Sequence, residues 1–272
     1  AVIIQARYGS SRLPGKILEK IENQTVLAHV INRALMIPSV DKIICAIPDS
    51  KENESVAKEA RKHPVEIVMG PENDVLGRYY QAATKHSVEH IVRITSDCPL
   101  IDPNICERVI QLFFEKGADY ACNDTPPSFP HGLDCEVFSF EWLKRAAIEA
   151  DKPSEREHVT QYIRNHPESK KVNLEGPGGE IIDHRWTLDT YKDLEFFQNL
   201  FKLIPKNKKT INYEALLSVL KKNPDLKNIN AGQDRYYGLK KSINEDLRDG
   251  FKTDRIDPNL REEFLKTNDD KN

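Results

Sequence analysis

The sequence has no excess of either charge. Its 40 lysines and arginines face 43 aspartates and glutamates, a formal net charge of −3, so no global basic field marks a nucleic-acid binder and any anion site has to be local. It has no Cys-x-x-Cys pair. The five cysteines, Cys45, Cys98, Cys106, Cys122 and Cys135, are scattered and odd in number, which suits neither a full disulfide framework nor a zinc ribbon and sets the expectation of a reducing cytoplasm. No apolar run approaches the length of a membrane span, and the apolar start AVII passes straight into charged residues instead of a cleavage site. Neither an anchor nor an export signal is therefore expected. Internal repeats are missing, as are G-x-x-x-x-G-K-[ST] and G-x-G-x-x-G, which removes the P-loop and dinucleotide-binding signatures.

What remains is a chain of 272 residues, 39% hydrophobic and 31% charged, able to bury one large core or a core with a small lobe. Short β-branched runs alternate with stretches of helical period, the pattern of a parallel sheet covered by helices. AVIIQA, DKIICAIP, VEIVMG and EHIVRITSDCPL read as strands. Between them TVLAHVINRALMI reads as a helix capped by Thr25, SKENESVAKEARKH as a charged surface helix, and NDVLGRYYQAATKH as a third. DPNICERVIQLFFEKG opens a helix with Asp102 as cap and Pro103 at its first position. From about Asp119 the pattern changes: prolines, a glycine and alternating apolar residues predict a strand pair before a helix. EREHVTQYIRNHP then predicts a short helix, KKVNLEG and DHRWTLDT further strands, and YKDLEFFQNLFKLI a helix. The series predicts a Rossmann-like three-layer α/β/α sandwich with a mainly parallel sheet.

The loop after the first strand, ARYGSSRLPGK, sets Arg7, Arg12 and Lys16 within ten residues. Successive backbone N–H groups in a small-residue turn form a concavity for phosphate oxygens, and the cations neutralise charge there. Such a loop suits a polyphosphate; solvated charges on a basic surface turn are the other reading of the same residues. Asp97 and Asp189 are carboxylates at strand ends, beside the crevice where open α/β sheets bind ligands, and Asp97 there is well placed to hold a hard cation. Asp193 reads as a helix-dipole partner. The inserted segment concentrates polar groups, among them His131, Asp134, Glu136, Arg156 and His158, and REHV places Arg156 and Thr160 four apart on one helix face.

The order R-Y-G-S-S-R-L-P-G-K resembles the phosphate loop of the cytidylyltransferases that make CMP-activated sugar acids, the family of CMP-KDO synthetase and acylneuraminate cytidylyltransferase. Within it the chain looks most like the spore coat polysaccharide biosynthesis protein F branch. The segments ENDVLGRYYQAA, RITSDCPLIDP, FPHGLDCEVFS, REHVTQYI and RWTLDTYKDLEF carry the resemblance in the same order, over roughly 1–200.

The resemblance implies a Mg2+-dependent transfer of CMP from CTP to a small anionic acceptor, with release of pyrophosphate, in surface polysaccharide biosynthesis. The family suggests a sugar acid as the acceptor, with a polyol phosphate or a phosphonate as the open alternatives. The implied catalytic residues are Arg12, Lys16 and Asp97, with Asp97 and Asp189 on the metal. The nucleotide contacts are Gln5, Ala6, Arg7, Gly9, Ser10, Ser11 and Arg78, although Arg78 also reads as a solvated i,i+4 partner of Asp74. Asn123, His131, Asp134, Glu136, Arg156, His158 and Arg185 are the candidate acceptor contacts, with Asp183 as an alternative partner for Arg185.

A nucleotidyltransferase domain is expected over 1–226, with an insertion at about 119–175 for acceptor binding and dimerisation, and a polar extension over 227–272 whose last stretch frays. The apolar, proline-rich stretch from Tyr120 to Trp142 would serve a homodimer interface. A nucleotide-sugar glycosyltransferase of related fold is the alternative enzyme, although SDCPLID lacks the Asp-x-Asp such enzymes use. A non-catalytic nucleotide-binding subunit is the alternative of another class.

Overall fold

The computed structural model describes residues 1–204 and 211–252. In chain order the elements are β1 (Val2–Gln5), the two-residue strands β2 (Lys20–Ile21) and β3 (Gln24–Thr25), α1 (Val26–Ala34), β4 (Ile43–Pro48), α2 (Glu54–Ala60), β5 (Glu66–Gly70), α3 (Val75–Lys85), β6 (His90–Thr95) and α4 (Pro103–Lys116). There follow β7 (Tyr120–Cys122), β8 (Glu136–Ser139), α5 (Phe140–Glu149), α6 (Pro153–His158), α7 (Gln161–Asn165), β9 (Lys171–Asn173), α8 (Tyr191–Leu203), α9 (Tyr213–Lys222), α10 (Asp225–Ile229) and α11 (Tyr237–Arg248).

Seven strands form one sheet in the order β5-β4-β1-β6-β8-β7-β9. β5, β4, β1 and β6 run parallel, β8 is antiparallel to its neighbours β6 and β7, and β7 is parallel to β9. The runs Val2–Ile4 and Ile43–Ile47 of the central strands β1 and β4 are apolar without a break because both faces are covered. Val2 and Ile4 join the core on one face, with α1, α4 and α8, while Ile3 joins the other, with α3 and α5. The result is a Rossmann-like three-layer α/β/α sandwich. After β1 the chain fills one side of the sheet with β4 and β5 and then returns to place β6 on the other side of β1. The strand order therefore reverses between β1 and β6, and a crevice opens at their carboxyl ends.

The expected caps form: Thr25 Oγ1 accepts from Ala28 N at 3.1 Å and Asp102 Oδ1 from Asn104 N at 2.9 Å. Two expectations are corrected. DHRWTLDT is no strand; only Arg185 makes an isolated bridge, to His131. Its amides bond to loops at the carboxyl edge instead, Trp186 N to His131 O at 2.6 Å and Leu188 N to Asp97 O at 2.8 Å. The helix expected over 155–167 is broken in two at Val159, whose φ is 63°, so Arg156 and Thr160 do not share a helical face.

Most apolar side chains of the 120–142 stretch, including Tyr120, Phe129, Leu133 and Phe138, are buried in the chain's own core, while Phe140 and Trp142 are half-buried. All five cysteines are free and buried. Among the described residues, no helix is long and apolar enough to cross a membrane. The end of the polar extension, expected to fray, lies outside the described residues.

Candidate active site

The loop leaving β1 is pinned at both ends. Tyr8 N donates to Asn53 Oδ1 at 2.7 Å, and Leu13 and Ile17 are buried in the core. Gly15 takes φ +70°, and a Cβ there would meet the Tyr8 ring at 3.0 Å, so the tight turn that delivers the next residue, Lys16, needs glycine. Lys16 Nζ points into the crevice and donates to Asp97 Oδ2 at 2.7 Å and to Asp189 Oδ1 at 2.8 Å. Asp97 stands in the turn after β6. The Leu188 N to Asp97 O bond ties the segment bearing Asp189 to that turn, so two carboxylates 92 positions apart in sequence converge on one point. Gly132 permits this approach: a Cβ would fall 2.3 Å from Trp186 O.

Electrostatics hold the constellation ionised. Burial alone would lower the Lys16 pKa, but Asp97 and Asp189 outweigh it and raise it. Burial pushes both carboxyls up. Lys16 brings Asp97 below its ordinary value, and Lys16, Arg12 and Arg185 bring Asp189 well below the carboxylate range. Arg12 reaches Asp189 at 3.1 Å and lies over the Tyr237 ring at 5.0 Å, while Arg7 reaches Glu157 at 3.3 Å.

A cavity of about 290 Å³ is lined by Gln5, Ala6, Arg7, Gly9, Ser10, Ser11, Arg12, Lys16, Arg78, Asp97 and Asp189. Glu157, His158 and a face of α11, with Tyr237, Lys241 and Ser242, complete its wall. Arg78 is 1% exposed and gives one nitrogen to Pro71 O at 2.5 Å and Glu72 O at 2.8 Å; its Nε has no partner. Asp74 does not pair with it. That carboxylate caps α3 through Gly77 N and takes Arg156 in a bidentate pair at 3.0 and 2.6 Å. Arg78 is thus a buried cation with unspent donors at the cavity wall, and burial lowers its pKa.

A neighbouring cavity of about 270 Å³ shares Asp97 and Asp189 and takes in His131, Asp134, Glu136 and His158. Glu136, 3% exposed, is held by Arg93, by Tyr120 Oη at 2.6 Å and by Thr160 Oγ1 at 2.5 Å. Asp134 pairs with Arg235. His158 Nε2 meets Ser242 Oγ at 3.0 Å. Burial is the main cause that pushes this imidazole down to about 4, which leaves it neutral near pH 7 and a weak base.

Three expected acceptor contacts are not brought into these walls. Asn123 is fully buried and spends its amide on Leu133 O and Cys135 N, each at 2.8 Å. Arg156 is turned to Asp74 and to the carbonyls of Ala147 and Ala150. Arg185 stands behind the site, donating to Asp189 Oδ2 at 2.7 Å and to Asp193 Oδ1 at 2.9 Å. Asp183, its alternative partner, instead faces Lys227 at 3.8 Å.

Asp193 stands in the first turn of α8 as expected of a helix-dipole partner; sequence reasoning missed its hold on Asp189, and missed Arg235 and the α11 residues Tyr237 and Ser242. Asp193 is fully buried and also accepts from Asp189 N, Thr190 N and Asn230 Nδ2 at 2.9 to 3.0 Å. It forms the capping box of α8 and braces Asp189 at the same time. Arg93, inside the otherwise apolar run of β6, carried a signal: a charge in a doubly covered strand needs a partner, here Glu136.

Two carboxylates whose oxygens lie within 2.8 Å of one cationic nitrogen form a donor set that suits a hard divalent cation. No group of three or more His, Cys, Asp or Glu placed to hold a metal ion occurs among the described residues, so water and phosphate oxygens would supply the other ligands.

The family model described as Cytidylyltransferase matches residues 1–241. An uncharacterized protein of Methanocaldococcus jannaschii is 34% identical over 236 residues, 84% of this chain and 93% of that protein. The spore coat polysaccharide biosynthesis protein SpsF of Bacillus subtilis (strain 168) is 32% identical over 232 residues, 82% of this chain and 94% of the relative. The solved structure of a cytidylyltransferase from Leptospira borgpetersenii superposes with a TM-score of 0.80 at 29% identity, covering 86% of this chain and 98% of that one.

Proposed function

This chain belongs to the cytidylyltransferase family, and from that premise we propose that it transfers CMP from CTP to a small anionic acceptor, a sugar acid, a polyol phosphate or a phosphonate, and releases pyrophosphate. The observation that carries the reading is the meeting of Lys16 with Asp97 and Asp189 where β1 and β6 part, under a loop that also bears Arg7 and Arg12. Mg2+ is the proposed cation, with Asp97 and Asp189 to hold it. When bound it withdraws charge from the phosphate oxygens.

The chain's own residues do the rest. Arg7, Arg12 and Lys16 bind the triphosphate and neutralise the departing pyrophosphate; the backbone of Ala6 and the spare donors of Arg78 meet the nucleotide. The acceptor lies in the second cavity, against His131, Asp134 and Glu136. An acceptor oxygen that is already ionised needs no strong base, which agrees with a neutral His158.

Calorimetric titration with CTP, UTP, GTP and ATP in Mg2+ tests the nucleotide. CTP binds most tightly, and Arg78→Met weakens it roughly tenfold or more, the worth of a hydrogen bond from a charged donor. Equal affinity for all four would overturn the assignment of CTP.

The relationship to SpsF favours a role in surface polysaccharide biosynthesis, and a reducing cytoplasm is the proposed setting, in keeping with five free cysteines. A homodimer stays part of the proposal, though it must use surface other than the buried apolar residues of 120–142. Light scattering at micromolar concentration should give twice the chain mass, and a clean monomer removes it.

A further inference from the structure

Every cation of the loop after β1 is already held by a carboxylate. Glu157 holds Arg7, Asp189 holds Arg12, and Asp97 and Asp189 share Lys16. The three contacts differ in kind. The Arg7 pair is open to solvent, with side chains 45% and 43% exposed, whereas the Lys16 side chain is only 13% exposed and its partners 23% and 19%. A solvated pair breaks at little cost, but an enclosed ammonium between two carboxylates is stabilised strongly by both.

The position of that ammonium is what matters. Nζ occupies the point at which one oxygen of Asp97 and one of Asp189 converge, and that is where a cation shared by both carboxylates would sit. Lys16 and a divalent cation therefore exclude each other there. For Lys16 to leave, its charge needs another anion in reach. Among the described residues the other acids of the cavity wall, Glu157 and Glu245, already face Arg7 and Lys241. A triphosphate laid along the loop supplies it.

Resting on the nucleotidyl-transfer reading above, we propose that Lys16 is a placeholder for the divalent cation, which makes cation binding conditional on the triphosphate, so that the two enter together and the empty enzyme rejects free metal. Lys16 swings from the carboxylates to the phosphates as the cation takes its place. The coupling is reciprocal: without the cation, the triphosphate would draw Lys16 away and leave Asp97 without its partner beside the phosphates, so CTP binds weakly in EDTA.

The test is Mn2+ binding by electron paramagnetic resonance, a readout independent of turnover. The full chain, Lys16→Met, Lys16→Gln, Asp97→Asn and Lys16→Met/Asp97→Asn are each titrated with and without CTP, with folding checked by circular dichroism. Without CTP, wild type should bind Mn2+ about tenfold or more weakly than either Lys16 variant, within the usual range of coupling energies. Adding Asp97→Asn should remove the gain, and CTP should give wild type an Asp97-dependent Mn2+ site. Wild type that binds Mn2+ as tightly without CTP as with it overturns the proposal, and no variant is needed for that result. If the CTP-dependent site is present but neither Lys16 variant gains affinity, the placeholder role alone fails. If no Asp97-dependent site forms even with CTP, the metal assignment fails and the placeholder role falls with it.

Discussion

Asp189→Asn should lower the rate of pyrophosphate release by on the order of a hundredfold or more, with the protein still folded. Asparagine keeps the shape of the side chain and one acceptor oxygen while removing the negative charge. Three cations now meet at this carboxylate: Lys16 at 2.8 Å, Arg12 at 3.1 Å and Arg185 at 2.7 Å. Without the charge, Lys16 is left with Asp97 alone and the proposed divalent cation would lose one of the two carboxylates proposed to hold it. Both losses fall on charge that develops in transfer, so kcat drops more than KM rises. The side chain is 19% exposed, and water reaches the neutral amide, so the melting temperature moves by only a few degrees. Steady-state kinetics beside a thermal melt checks this; kcat within threefold of wild type would mean that Asp189 is only a charge partner.

Asp193→Ala should be among the most destabilising single changes in the chain, about 3–5 kcal/mol, the usual cost of removing one partner from a buried ion pair. The carboxylate is fully buried and takes hydrogen bonds from Arg185, Asp189, Thr190 and Asn230. Alanine would take this acceptor from all of these donors, the buried Arg185 guanidinium among them, and remove the Asp193 half of the capping box of α8 while leaving the Thr190 cap on the amide of residue 193. For a domain of this size that corresponds to a melting temperature lower by roughly 6–20 °C. Activity should fall as well, because Asp189 hangs on Asp193 through both its amide and Arg185. Asp193→Asn, which keeps an acceptor, should lie between. A loss under about 1 kcal/mol in the alanine variant would contradict the bracing role.

The sheet was legible because unbroken β-branched runs such as AVII and IICAI mean strands covered on both faces, and the caps Thr25 and Asp102 announce their helices in the adjoining residues. Asp97 and the loop cations could be placed for a related reason: they stand in the turn after β6 and the loop after β1, and the crevice of a doubly wound sheet gathers such positions; Asp189 was placed at the end of a strand that does not form, and reaches the crevice because Leu188 N bonds to Asp97 O. DHRWTLDT misled because burial does not require a ladder: Arg185, Trp186, Thr187 and Leu188 are all buried, yet the amides of Trp186 and Leu188 found loop carbonyls at the sheet's edge.

Arg156 and Asn123 were not legible, since their partners, Asp74 and the Leu133–Cys135 turn, are chosen by tertiary packing. Asp193 looked like any acid in a first helical turn until Arg185 and Asn230 closed on it. The site face of α11 has little apolar content to announce it. Its contacts to the cavity are an aromatic ring over Arg12 and a hydroxyl beside His158.

The measurement that bears most directly on the whole account is pyrophosphate release with Mg2+ and each of CTP, UTP, GTP and ATP, against a panel of sugar acids, polyol phosphates and phosphonates, in wild type and Asp97→Asn. The account predicts release with CTP and one class of acceptor, reduced by on the order of a hundredfold or more in the variant. Release that prefers another nucleotide, or that survives unchanged in Asp97→Asn, would contradict it.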